Sequence, residues 1–349
     1  MGFFALVLAL LIEQSRPLRP GNRVHATFAG FAAAVRRNFD GGKRRHGAIG
    51  WAVVIVGSIV VVTMAESIAR AIHPLVLFAL HVFVLYCTVG FRQFSRAFTE
   101  IRVALAADDA EGARRVLSGW LRGEDPAEEA YADRETTVAG TCRQSIAHAL
   151  LAAHRHVLGP LFCYIVLPGA LGPVLYRVAE MLARHWQRGD REAASPDTVA
   201  SPDTVAAPDT AAAREGASTA AGTSAAPWSA FATRAFAVID WIPVRLTAAG
   251  FAIVGDFEDA VYCWRGANAA VGHWDSRSVL MAVGGGALGV RLADPALAQR
   301  WAGSARPFEC PGGEAQPASL PAAAGLVWRS LLLWIGVYAL ITVSAWMGR

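Results

Sequence analysis

The stretch Asp240-Trp241-Ile242-Pro243-Val244-Arg245-Leu246 puts an acid, a proline and an arginine within six residues of an apolar run, "RAFAVIDWIPVRLTAAGFAIVG". An ionisable residue in a membrane-like segment is by default a functional hypothesis. Read locally, the stretch also fits a helix start. Pro243 suits a first turn, where its missing N–H costs nothing. Asp240 just upstream can take up free backbone donors and complement the positive helix end. Trp241 fits a membrane interface. Arg245, one turn in, can pair with Asp240 or with another acid facing a helix bundle. The favoured reading is a structural lock at a helix start, and the other is a ligand-facing Arg245.

Other residue types narrow the chemistry. His148, His154 and His156 fall in "HALLAAHRHV". Two imidazoles hold a metal from one helix when they stand at i and i+3 or i+4. Here the spacings are six and two, so no metal site is expected. His148 and Arg155 share a face and read as a solvated or interfacial polar stripe. His73, ahead of Pro74, and His81 are single polar residues in an apolar stretch, read as packed interhelical contacts with no visible partner. Gly284-Gly285-Gly286-Ala287-Leu288-Gly289 fits G-x-G-x-x-G literally. That fingerprint requires a strand before it and a helix after it, and only a short apolar run precedes it here, so it reads as helix-packing glycines. One lysine, Lys43, stands against 31 arginines, which leaves neither a P-loop nor a Schiff-base lysine. The five cysteines, Cys87, Cys142, Cys163, Cys263 and Cys310, form no C-x-x-C pair. They read as small core residues, not as a disulfide framework or a zinc site. No Ser-His-Asp order stands out, and Asp108-Asp109 and Glu128-Glu129 read as solvated faces.

The elements that must position these residues follow from composition. The chain is 54% hydrophobic and 17% charged, with a mean hydropathy of +0.36. Soluble domains carry about 25% charged residues. The fold class expected is all-α, a polytopic integral membrane protein with about four to six membrane-embedded helices and a cytoplasmic helical region. Residues 48–65, 71–90 and 325–346 read as clear spans. Residues 157–182 carry Pro160, Pro168 and Pro173, the pattern of a broken or re-entrant helix. Residues 236–254 read as membrane-embedded, and 3–12 as a short interfacial or buried helix. The N-terminal run has no basic n-region and no A-x-A site, so no signal peptide is expected. Arg36, Arg37, Lys43, Arg44 and Arg45 place the loop before the first span in the cytoplasm, with 91–156 as the cytoplasmic helical region. Residues 187–227 repeat Ser-Pro-Asp-Thr-Val-Ala, at 195–200 and 201–206, and read as a disordered linker. It divides an N-terminal membrane half, 1–186, from a C-terminal one, 228–349. The net charge of +4 points to no nucleic-acid face.

Laid side by side in chain order, "LAADDAEGARRVLSGWLRGED", "GPLFCYIVLPGALGPVLYR", "DWIPVRL" and "MAVGGGALGVRLADP" resemble motifs of two related groups of bacterial inner-membrane proteins. One is the CobD/CbiB family of adenosylcobinamide-phosphate synthases in cobalamin biosynthesis. The other is the AmpE family, named for its link to β-lactamase induction. The resemblance covers about 91–295. It also shows departures. Aligned back from Pro160-Leu161-Phe162, the synthases' helix "R..IE..AEN..DG..APLF" keeps Arg143 and Ile146. Its glutamates fall on Ala147 and Leu151, its asparagine on Ala152 and its aspartate on Arg155. Their "YK..NTLD" falls on "YRVAEMLA", keeping Tyr176 and the cation as Arg177, with Glu180 in place of asparagine and Ala183 in place of aspartate. The early "GDP…HP" motif gives way to "RPLRPGNRVH". AmpE-like sequences share an arginine before "APLF" and the missing acids.

The leading expectation is therefore a degenerate synthase, a pseudoenzyme acting as a membrane regulator or sensor in the bacterial inner membrane. The alternative is a working amide-forming ligase that joins an aminopropanol (phosphate) to a corrinoid propionate. It would use other acids such as Glu180, Glu135, Glu100 or Asp256, and would need ATP and Mg²⁺. Otherwise no cofactor is expected. The resemblance marks Asp240, Trp241, Pro243, Arg245, Arg143, Arg155, Tyr176, Arg177 and Glu180 as functional candidates. The partners it implies are the lipid bilayer and a corrinoid or other small-molecule ligand.

Overall fold

The computed structural model describes residues 2–15, 30, 35, 44–124, 137–167, 169–194, 227–271, 276–292 and 310–348. Among them every regular element is a helix, apart from one isolated bridge between Val290 and Gly313. The helices are α1 (Gly2–Ser15), α2 (Arg44–Ile72), α3 (Pro74–Thr88), α4 (Phe91–Ala106), α5 (Ala110–Glu124), α6 (Val138–Ala153), α7 (Gly159–Val166), α8 (Leu171–Ala194), α9 (Pro227–Val254), α10 (Phe257–Val271), α11 (Ser276–Leu288) and α12 (Ser319–Met347). A π-helical turn, His154–Leu158, joins α6 to α7 without a break.

Among the described residues, four stretches are long and apolar enough to cross a membrane: Gly47–Ile72, Val138–Val166, Ser229–Val254 and Ser319–Met347. The expected spans at 48–65, 236–254 and 325–346 lie within three of them. The other two membrane expectations need correction. The stretch 71–90 is interrupted by Pro74, which starts α3, a helix of 15 residues. At 1.5 Å per residue it is only about 22 Å long. His73 is not within a span; it is the N-cap of α3, its Nδ1 accepting the Leu75 N–H at 3.2 Å. The stretch 157–182 also straddles two elements. Pro160 does not break the helix, and the span runs from Val138 through the π turn to Val166. Leu167 caps the helix end, and the chain turns at Gly169 and Ala170 before α8 begins. Residues 138–153, expected in a cytoplasmic region, are thus the first half of a stretch long and apolar enough to cross a membrane. They carry Gly140, Thr141, Ser145 and alanines that let neighbouring helices approach closely.

Local signals explain the helix starts. Thr137 accepts the Gly140 N–H at 3.0 Å ahead of α6. Asp109 accepts the Gly112 N–H at 2.7 Å ahead of α5. Asp256 accepts the Asp259 N–H at 3.1 Å ahead of α10, the use expected of an aspartate at an N-cap. So Asp109 is a capping residue and not merely a solvated acid.

The described residues form two compact units. One draws on 1–20, 61–176 and 237–349, the other on 21–60 and 177–236. In the first, Leu6, Leu85, Ile101, Ile146, Phe162 and Phe251 are all buried in one apolar core. The α6 helix is its hub, packed against α4, α5, α11 and α12, and α10 packs closely on α11. The glycine run 284–286 lies inside α11, as expected of packing glycines. A Cβ on Gly286 would come within 2.6 Å of the Asp259 carbonyl of α10, so a larger residue would force the two helices apart. Cys263 and Cys310 form a disulfide, against the expectation of unpaired core cysteines; Cys87, Cys142 and Cys163 are free thiols.

In the second unit Trp186 is fully buried. Trp51 meets Phe231 edge-on at 5.7 Å, and Gln187 donates to Thr233 at 2.8 Å. Residues 187–194 of the proposed linker extend α8, and 195–226, with the repeat, lie outside the described residues.

Candidate functional site

The π turn builds the site in the first unit. Pro160 has no N–H to give the carbonyl four residues back, and its ring crowds that carbonyl. That carbonyl belongs to His156, and it takes the Gly90 N–H instead, at 3.1 Å. The helix widens, with Gly159 N–H bonding to His154 O five residues earlier. Such π bulges concentrate at functional positions. Gly159, next in the chain, has no side chain, and the Tyr176 ring packs over it where a Cβ would collide.

These features bring His154, Tyr176 and Asp240 together. His154 Nε2 lies 2.9 Å from Asp240 Oδ1. His154 Nδ1 lies 2.8 Å from Thr247 Oγ1. The Tyr176 hydroxyl donates to Asp240 Oδ1 at 2.8 Å and stands 3.4 Å from His154 Nε2. Ser276, at the start of α11, adds a hydrogen bond to the same carboxylate. All four principal members are buried, at 0 to 2% exposure. The network closes when His154 carries its proton on Nε2. Nε2 then donates to Asp240, and Nδ1 accepts the Thr247 hydroxyl proton. A carboxylate out of water costs several kcal/mol unless it is paired and hydrogen-bonded, and three donors around Asp240 meet that requirement. The result is an acid, an imidazole and a phenol held in fixed relation, with proton-bearing groups in contact along a short chain.

Asp240 does not act at a helix start. It lies in the middle of α9, and Pro243 is an interior proline of that helix. Asp240, Val244, Thr247 and Phe251 are all buried, and their spacing of four, three and four traces one inward face. Arg245 is five residues from Asp240, so it points to a different side. It stacks on Trp241, its guanidinium 3.8 Å from the ring centroid, and donates to the Trp241 carbonyl at 2.9 Å. The expected pairing of Arg245 with Asp240 is thus replaced by a cation–π contact. The expected lock at a helix start is replaced by a buried polar junction.

The other candidates scatter. Arg155 is half-buried in the π turn, and Arg143 is half-buried on α6. In the second unit Arg177 donates to Glu180 at 3.0 Å, and Arg184 meets the same carboxylate at 2.7 Å. That leaves Glu180 neutralised from two sides. Glu100 pairs with Arg96 at 3.0 Å on an exposed face, Asp256 is the N-cap of α10, and Glu135 lies outside the described residues. His148, expected on a solvated stripe, is buried edge-on against Trp120 at 4.4 Å. His81 has partners after all. It stands 3.4 Å from Glu66 and 3.2 Å from the Tyr164 hydroxyl.

Sequence reasoning missed His154, Thr247 and Ser276. Within "HALLAAHRHV" the spacing of His154 speaks only to metal binding, whereas its partners lie 86 and 93 residues further on. One usable signal was its position. Ala147, Leu151 and His154 stand at i, i+4 and i+7, the face on which the synthase pattern carries its glutamates.

A second feature is an open cleft of about 590 Å³ in the first unit. Glu258, Asp259, Tyr262 and Arg291 line it, together with the disulfide-bonded Cys310 and Gly312. Among the described residues no group of three or more His, Cys, Asp or Glu is placed to hold a metal ion.

Residues 3–187 match the family described as CobD/Cbib protein. A relative from Chromobacterium violaceum, named cobalamin biosynthesis protein CobD, is 28% identical over 283 residues, 80% of this chain and 76% of its own. A second protein of that name, from Stutzerimonas stutzeri, is 26% identical over 343 residues, 95% of each chain. No solved structure matches. The family match takes in more than half of the sequence and contains His154, Gly159, Pro160 and Tyr176, so this chain belongs to the CobD/Cbib protein family.

Proposed function

We propose that this protein carries out the amide-forming ligase step of cobalamin biosynthesis in the bacterial cytoplasmic membrane. It would join the amine of an aminopropanol (phosphate) to a propionate of a corrinoid. The observation that carries this reading is the alignment with a cobalamin biosynthesis protein over 95% of both chains. A regulator needs no such end-to-end likeness to a biosynthetic protein, and this favours the synthase over the regulator and pseudoenzyme readings.

The missing glutamates do not empty the interior of acids. Ala147 and Leu151 are buried on the face that ends at His154, and α9 brings the Asp240 carboxylate to that same place. Acid and imidazole are thus supplied from two helices instead of one row. The amine must lose a proton as the C–N bond forms, and the activated carboxyl must lose an oxygen-bearing leaving group. A connected Asp–His–Tyr network can organise groups around such a proton movement. Its complete burial makes it a positioning core in the state described.

A ligase of this kind draws on ATP and Mg²⁺. Mg²⁺ takes one or two carboxylates and fills its remaining positions with water and phosphate oxygens, so a cage of three protein ligands is not required. Glu258 and Asp259, in the open cleft with Arg291, are the described residues that fit: two carboxylates for the ion and a guanidinium for phosphate. ATP would supply the phosphoryl group that activates the carboxyl.

Complementation tests the reading. In a strain lacking its adenosylcobinamide-phosphate synthase, supplied with cobyric acid, this chain is expected to restore cobalamin-dependent growth. Absence of growth, with folded protein present in the membrane, overturns the synthase reading and returns the regulator to first place.

A further inference from the structure

We propose that Glu66 is a positioning residue for Tyr176, acting through the turn that joins α7 to α8. The proposal rests on the reading above only in taking Tyr176 as part of the working site.

Glu66 lies on α2, in a helix apolar enough to cross a membrane, and is 9% exposed. A carboxylate there is costly and calls for a use. Glu66 is not among the groups that hydrogen-bond to Asp240. Its Oε1 instead accepts the backbone N–H of Ala170 at 2.6 Å. Ala170 is fully buried and immediately precedes α8. An acid at a helix N-terminus satisfies an orphan donor and complements the dipole.

The turn itself is shaped to admit this carboxylate. Gly169 has φ +71, and a Cβ there would run into the Glu66 side chain. The carboxylate is in turn held on several sides. His81 Nε2 stands 3.4 Å from Oε1, and Arg70 stands 3.9 Å from Oε2. His81 Nδ1 is 3.2 Å from the Tyr164 hydroxyl, which donates to the Gly2 carbonyl at 3.2 Å. So α1, α2, α3 and α7 all fix where α8 starts.

Tyr176 lies six residues beyond Ala170, and its phenol needs a placement good to a few tenths of an ångström to reach Asp240 at 2.8 Å. Each residue of an α-helix turns through about 100°. A small rotation of α8 at its first residue therefore swings the phenol off the carboxylate. Gly159 receives the ring at one end of this hairpin, and Glu66 fixes the other end.

The test reads Tyr176 directly. The protein is labelled with 3-fluorotyrosine and purified in detergent, and the Tyr176 fluorine resonance is identified by its loss in Tyr176→Phe. Glu66→Gln keeps a carbonyl acceptor for the Ala170 N–H. It should leave that resonance in place and growth on cobyric acid within about twofold of wild type. Glu66→Ala should shift the resonance towards that of a phenol without a charged partner, and lower growth tenfold or more. Gly169→Ala, with Glu66 intact, should shift the same resonance, and it serves where Glu66→Ala does not fold. An unmoved Tyr176 resonance in folded Glu66→Ala or Gly169→Ala overturns the proposal. If wild type itself fails to restore growth while the resonances shift as described, the synthase reading falls and the positioning role of Glu66 stands.

Discussion

Asp240 is the residue on which the described site turns, because His154, Tyr176 and Ser276 all converge on its carboxylate. Removing it with Asp240→Ala takes away the acceptor shared by the His154 N–H and the Tyr176 hydroxyl at a buried position. A buried donor left without its acceptor costs about 1–3 kcal/mol, and two are affected here. Tyr176→Phe keeps the ring over Gly159 and loses one hydrogen bond to a charged group, about 1.5–3 kcal/mol. Thermal unfolding in detergent should therefore rank wild type, Tyr176→Phe and Asp240→Ala in falling order. Equal stability of Asp240→Ala and wild type would mean that the network does not hold the unit together. Asp240 and Tyr176 were legible in the sequence because they sit in motifs that resemble a known family. His154 was not, because nothing in a local window marks a histidine whose acid comes from a helix 86 residues away. Arg245 misled for a related reason. Five residues along a helix turn the chain by about 140° net, so proximity to Asp240 in sequence did not mean a shared face.

At the scale of elements, the span from Val138 to Val166 shows how one proline can be read two ways. Pro160 signals a broken helix in the sequence, yet the structure absorbs it by widening one turn and giving the stranded His156 carbonyl to Gly90. Hydrophobic periodicity found the long apolar helices α2, α9 and α12 because each is apolar over its length. It misplaced the start of the 138–166 span, because small and polar residues such as Gly140, Thr141, Gln144 and Ser145 lower its first half's hydropathy while packing tightly against neighbours. If Pro160 causes the π turn, Pro160→Ala restores a donor for His156 O within the helix and releases Gly90. Hydrogen exchange at the Gly90 amide should then rise about tenfold or more, the worth of one hydrogen bond. Unchanged protection at Gly90 would assign the bulge to some other constraint, with the packing of Tyr176 on Gly159 the next candidate.

At the scale of the whole molecule, the apolar surfaces decide what must surround the helices. On α2, Val53, Val56, Val60, Val61, Met64 and Ile68 are exposed, and on α12 so are Leu332, Leu340, Ile341, Val343 and Trp346. Isolated apolar residues on a surface are ordinary, but continuous apolar lengths of helix with this exposure are not those of a water-soluble protein. Lipid is the solvent that suits them, and α-helices suit lipid because their backbone hydrogen bonds are satisfied internally. The buried polar sites fit the same picture: Asp240 and Glu66 lie on membrane-length helices but face histidines and tyrosines, not the outer surface. The protein should therefore stay in the pellet when membranes are washed with alkaline carbonate, and leave it only with detergent. Val61→Arg, at a position 67% exposed in the interior of α2, should cut the membrane-inserted fraction, since an arginine near the centre of a span costs about 2.5–3.5 kcal/mol. The same change at the exposed Glu111 of α5, whose helix is amphipathic and too short and polar to cross, should leave insertion unchanged. Release of the wild-type chain by carbonate alone, or an equal effect of the two substitutions, would show that α2 does not meet lipid along its length.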